Sequence, residues 1–179
     1  MVQPERDDLV ARLGRYPVDR YPVQHATTQF HLGSVLLHAS DAAPALEALT
    51  AARSVFGRAG MHLEQAKATV MLGVALRLIG RLDEAAEAFT VAGTMLASLE
   101  QPAERAAAAY NLGLVRHDCG DRDGAHAAWV QARDLFLAAR HPARAGAAAR
   151  DHGGSLLTAG KVSEAVAVLE QSLALAEQA

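Results

Sequence analysis

The chain has 179 residues, about half of them apolar (51%), with a formal net charge of -3 and only 4% aromatic side chains. Forty alanines favour close-packed helices, because alanine has the best helix propensity and lets backbones approach. This composition excludes a collagen-like chain, a disordered tail and a disulfide scaffold.

In chain order, residues 1–24 form an N-terminal extension. Leu9, Val10 and Leu13 lie on one face of a short helix from about Glu5 to Leu13, closed by Gly14. This helix is expected to cap the first of a series of repeated copies. From residue 25 the chain repeats. Gly33, Gly73, Gly113 and Gly153 stand 40 apart, and Leu32, Leu72, Leu112 and His152 precede them. Seven residues on come Ser40, Gly80, Gly120 and Gly160, then Ala45, Ala85, Ala125 and Ala165. Next come Leu49, Phe89, Trp129 and Leu169, and after them Ala52, Ala92, Ala132 and Ser172. Four copies in register over six columns define the domain plan: about 25–65, 66–105, 106–145 and 146–179.

Each copy predicts two helices of about 16 residues. From about 63 to 79, Ala66, Val70, Leu72, Leu76 and Ile79 recur at helical spacing. Gly80 ends that helix, since glycine takes the left-handed C-terminal conformation without penalty. Asp83 is expected to cap the second helix, which runs to about residue 99. Pro22, Pro102 and Pro142 mark three junctions, each suited to a first helical turn. Glycine in the first helix and alanine in the second are expected where two helices touch. Replacing Ala85 or Ala125 by leucine is therefore expected to destabilise, whereas Ala179 should tolerate the change.

"YNLGLV" at 110–115 and "GRLDEAAEAF" at 80–89 resemble the tetratricopeptide repeat (TPR) family, in its 40-residue-period bacterial type. The resemblance covers about 25–179. It implies an all-α fold, a right-handed α-solenoid of about four stacked helix-turn-helix repeats with the short N-terminal helix. Departures are the large first position (Gln29, Thr69, Ala109, Ala149) and Arg116 in a column otherwise held by Leu36, Leu76 and Leu156. The late proline is also absent, with Gly57, Ala97 and Leu137 in its place.

Little else carries chemistry. Phosphate loops, dinucleotide glycine motifs and nucleophile elbows are missing. "HGGS" at 152–155 falls on the Leu-Gly columns inside a helix. His117, Asp118 and Cys119 are adjacent and lack the paired spacing of a zinc site, and His31 with His38 lacks a third ligand. His25, His62, His126 and His141 are expected at the surface or in loops. No catalytic residue, metal or cofactor is expected. Evenly spread charge argues against nucleic acid, and no stretch approaches a membrane span. A single cysteine, Cys119, and an acidic N-terminus fit the cytoplasm.

Function is expected on the first-helix face, which lines the concave groove in the family the chain resembles. The partner-binding candidates are Phe30, Lys67, Val70, Arg77, Tyr110, Asn111, Leu114 and Arg150. Arg150 stands in a column that is apolar in the other copies, so it pairs with a partner's acidic group or with Asp151 or Asp118 nearby. The expected activity is non-catalytic: a scaffold or adaptor binding a protein or peptide. The alternatives are a regulatory sensor of a peptide or small effector and, more remotely, an accessory enzyme subunit. Val162, Val166, Leu169 and Leu173 form an apolar stripe in the last helix, where the chain stops without a cap. Self-association as a homodimer through this C-terminal repeat is therefore expected.

Overall fold

The structure is a computed structural model that describes residues 2–177; Met1, Gln178 and Ala179 lie outside it. Its helices are α1 (Val2–Arg15), α2 (Pro22–His38), α3 (Ala42–Arg58), α4 (His62–Leu78) and α5 (Leu82–Ser98). They continue with α6 (Pro102–Asp118), α7 (Arg122–Ala138), α8 (Pro142–Thr158) and α9 (Val162–Ala176). No strand occurs among the described residues.

From Pro22 onward a helix starts every 20 residues, and one turn design explains the regularity. Ser40, Gly60, Gly80, Glu100, Gly120, Arg140 and Gly160 all take positive φ, between 54° and 82°. The next amide then reaches back five residues, as in Arg81 N donating to Leu76 O at 2.9 Å and Asp121 N to Arg116 O at 2.9 Å. That bond satisfies a carbonyl that the helix end leaves unpaired. The helix pairs start at Pro22, His62, Pro102 and Pro142, three or four residues ahead of the divisions read at 25, 66, 106 and 146. The prolines, placed in the first helical turn, mark these starts.

Two local expectations need correction. Helix α1 runs through Gly14 to Arg15; Pro17, which disfavours helix in the residue before it, sets the end instead. Asp83 is no cap, because α5 already begins at Leu82; it lies in the first turn, where the helix dipole favours its charge. The capping position is occupied by Asp41 for α3 and Asp121 for α7, and of these only Asp121 accepts a bond from the helix, from Gly124 N at 2.9 Å.

The chain divides between residues 95 and 96 into two compact units. In the first, α1 packs on α2, α2 on α3, and α3 on α4. Its core includes Ala26, Ala52, Val55, Phe56 and Ala68. In the second, α6 packs on α7, α7 on α8, and α8 on α9. Its core includes Ala106, Ala109, Ala132, Phe136, Ala145, Ala148 and Leu175.

Within each unit the glycine column has a steric reason. A Cβ on Gly33 would lie 2.6 Å from Leu49 Cγ, and one on Gly73 would lie 2.8 Å from Phe89 Cε1. One on Gly113 would lie 2.5 Å from Trp129 Nε1, and one on Gly153 would lie 2.7 Å from Leu169 Cγ. The large residue of the second helix thus rests on the bare backbone of the first. Phe89 and Trp129 are buried to 1% and 2% exposure, so they are packing residues. Ala85 and Ala125 are fully buried beside them.

Candidate functional site

The first helices of the second unit, α6 and α8, carry a polar constellation. Tyr110, on α6, packs its ring against the core of that unit. Its hydroxyl donates to Asp151 Oδ2 on α8 at 2.5 Å. Arg150 Nε donates to the other carboxylate oxygen, Asp151 Oδ1, at 3.2 Å. The Asp151 side chain is 23% exposed and that of Arg150 is 65% exposed. Asp151 therefore holds both neighbours, and the guanidinium still offers its outer edge to solvent. Asn111 Nδ2 donates to Ala107 O at 2.8 Å, one turn back on α6. Leu114 is half-buried on the same helix.

The candidates of the first unit have another character. Phe30 is half-buried against the core, edge-on to Phe56 at 6.4 Å and to His31 at 5.7 Å. Lys67, Val70 and Arg77 are half-buried along α4. An open hollow of about 310 Å³ lies elsewhere in this unit, lined by Leu46, Arg53, Thr69, Leu72, Glu84 and Val91 among others. It draws on α3, α4 and α5, and none of the sequence candidates lines it.

Along α9, Val162, Val166 and Leu173 are exposed at 58%, 47% and 67%. Leu169 is turned inward onto Gly153. It leaves three members of the expected stripe open to solvent.

A second polar group goes beyond the sequence candidates. His126 is half-buried on α7 rather than at the surface, with Nε2 3.0 Å from Ser155 Oγ on α8. Its ring centroid is 4.7 Å from that of His152 and 6.4 Å from that of Trp129. Burial holds both imidazoles below the usual histidine range; Lys161 adds to this for His126, and His126 itself adds to it for His152. Ser155 is buried to 3% exposure, so no substrate reaches its hydroxyl. The register carries the signal that reveals this group: the His126 column holds Leu46, Ala86 and Val166 in the other copies.

Arg116, the departure in its column, leaves the core and donates to Gly124 O at 3.2 Å. It also lies 3.9 Å from Asp121, so it clasps the α6–α7 turn. Among the described residues no group of three or more His, Cys, Asp or Glu side chains could hold a metal, and no helix is long and apolar enough to cross a membrane.

No family model and no curated protein matches the chain. Solved structures do. Aspartyl phosphate phosphatase F from Bacillus subtilis matches with a TM-score of 0.83 at 13% identity, over 87% of this chain and 41% of its own. A Rap protein in complex with Competence and Sporulation Factor matches with a TM-score of 0.78 at 17% identity, over 97% of this chain and 51% of its own. The chain thus spans about half the length of these two. A kinesin light chain from Podosopora anserina with nearly identical TPR-like repeats matches with a TM-score of 0.78 at 17% identity, over 97% of this chain and 86% of its own. Helix pairs of fixed length, a glycine seat under each large residue and these likenesses agree: the chain has the tetratricopeptide-type helical-repeat fold.

Proposed function

We propose that the chain is a non-catalytic protein-binding module of the bacterial cytoplasm, an adaptor or scaffold that takes a peptide or protein segment on its first-helix face. The observation that carries this reading is the Tyr110–Asp151–Arg150 set. Tyrosine and arginine dominate interface energy where they are held in place, and here one carboxylate holds both. The open edge of Arg150 suits an acidic group on the partner. Phe30, Lys67, Val70 and Arg77 extend the same use to the first unit, with Asn111 and Leu114 flanking Tyr110. A free, exposed Cys119 suits a reducing compartment.

The regulatory alternative, a sensor that binds a peptide and passes the change on, is favoured by the likeness to a Rap protein solved with Competence and Sporulation Factor. Both readings share the binding step. That step is tested by selecting peptides on the full chain from a displayed random library. Tyr110→Ala should weaken a selected peptide by about 2 kcal/mol or more. Arg150→Ala should weaken it more at low salt than at high salt. If both variants bind normally and only second-helix changes matter, the first-helix face is structural.

We also propose self-association of two copies through α9. Leu173 is exposed in a column that holds Arg53, Gly93 and Arg133 elsewhere, so the copies before it keep that surface polar or bare. Val166→Asp with Leu173→Asp should convert a dimer to a monomer by light scattering at tens of micromolar. A wild-type chain that is already monomeric there ends this proposal.

A further inference from the structure

Three polar residues meet at one seam of the second unit where the other copies are apolar. His126 on α7 replaces Leu46, Ala86 and Val166; His152 on α8 replaces Leu32, Leu72 and Leu112; Ser155 on α8 replaces Val35, Ala75 and Val115. The replacements converge: the imidazoles lie tilted at 49° to one another with centroids 4.7 Å apart, and His126 Nε2 meets Ser155 Oγ at 3.0 Å. An apolar seam would pack at least as well, since polar groups taken from water must win back their hydration through partners. We propose that this seam is an acid-labile latch, which holds α8 on α7 while both imidazoles are neutral and releases it when they are protonated.

The surroundings decide how the pair titrates. From α6, His117 faces Trp129 at 5.7 Å and adds a potential positive charge toward His126. On α7, Asp123 favours the protonated form of His126, while Arg133 opposes that of His152. At the start of α9, Lys161 opposes protonation of both rings and Glu164 favours it. Burial outweighs these charges for both rings, and a proton on either ring resists one on the other. The pair therefore takes up protons in two coupled steps.

An opened seam returns each ring to the ordinary value of about 6.5, above its value in the closed seam. Between the two values the opened form binds more protons. The latch is at full strength above about pH 6.5, weakens as the pH falls, and levels off below the closed-seam values. Because α8 also carries Asp151, opening removes the acceptor from Tyr110. An effect on partner binding rests on the proposed first-helix site; the opening itself does not.

Hydrogen exchange on the full chain at pH 7.5 and 5.5, corrected for intrinsic rates, tests the latch. The amides of α8 and α9 should exchange several-fold faster at the lower pH, because burial holds both imidazoles below their ordinary value only while the seam is closed. Those of α2 to α4 should not change. Carrying His126→Leu with His152→Leu restores apolar columns and should abolish the difference. Equal corrected rates in the wild type, or the same acceleration in the double variant, overturn the proposal. Should the double variant fail to fold, His152→Leu alone, which puts the residue of the other three copies at that position, should reduce the difference, and an undiminished acceleration there overturns the proposal. Imidazole resonances of the wild type should titrate below 6.5 for both rings, and a value at or above it for either ring is equally fatal. Opening seen without any change in the affinity of a selected peptide keeps the latch and removes the binding face.

Discussion

The two units share one sequence register and fill it differently. In the first, the columns beside the glycine seats hold Leu36, Leu46, Leu72 and Leu76. In the second, Arg116, His126 and His152 occupy three of the same columns, yet α6, α7 and α8 keep the 17-residue length of α2 to α5 and the turns keep the same positive φ. The difference teaches which positions hold the repeat. A bare glycine under a large residue, and a buried alanine beside it, are retained in both units. The neighbouring columns are free to carry polar chemistry, and in the second unit they do.

The largest effects should come from violating the positions that both units keep. Ala85→Leu and Ala125→Leu should each destabilise by about 1–3 kcal/mol through overpacking, measured by denaturant unfolding. Gly73→Ala and Gly113→Ala should cost about as much, because the new Cβ would sit under 3 Å from Phe89 and Trp129 ring atoms. Gly93 in α5 and Gly154 in α8 have nothing within 4 Å of such a Cβ. Alanine there should stabilise by about 0.5–1 kcal/mol, the ordinary gain in a helix interior. Equal responses at seat and control glycines would mean that the columns do not hold the fold.

Next comes the residue on the seat. Trp129 Nε1 is buried without a hydrogen-bond partner, a cost that Phe89 in the same column does not carry. Trp129→Phe should therefore lose less than about 1.5 kcal/mol, against about 3–5 kcal/mol for Trp129→Ala. A loss of several kcal/mol for phenylalanine would show that the indole is held by something more than packing.

The same contrast marks what the sequence can tell. Repeat length, the two helices per copy and the packing role of Phe89 and Trp129 are legible, because a 40-residue spacing repeats four times and each column has one physical reason. The polar groups are less so. Tyr110 and Asp151 are 41 residues apart and His126 and Ser155 are 29 apart; such pairs form only once neighbouring helices fix their rotation. Taken singly, His126 looks like a surface histidine, and only the apolar residues of its column contradict that. Leu169 fits both a glycine seat and an exposed stripe by its spacing, and one side chain cannot serve both. Gly14 reads as a stop because glycine weakens helices, while Pro17 three residues later imposes the stronger constraint.

The smallest predicted effect tests whether the turns are as uniform in energy as in shape. Ser40 in the first unit, and Glu100 and Arg140 in the second, take φ of 60°, 54° and 60°, where the other four turns use glycine. A side chain in this conformation costs about 1–2 kcal/mol from the approach of Cβ to the next carbonyl oxygen. Glycine removes that cost and loses part of the gain through its greater freedom in the unfolded chain. Each of Ser40→Gly, Glu100→Gly and Arg140→Gly should then stabilise by about 0.5–1 kcal/mol. The three gains should be alike, because each turn closes with the same amide reaching back five residues: Asp41 to Leu36, Gln101 to Leu96, and His141 to Phe136, at 2.8–3.0 Å. Thermal unfolding of the three variants against the wild type measures this. A gain at Ser40 with a loss at Glu100 or Arg140 would show that those charged side chains contribute contacts that offset the backbone cost. The second unit would then differ from the first in its turns as well as in its seams.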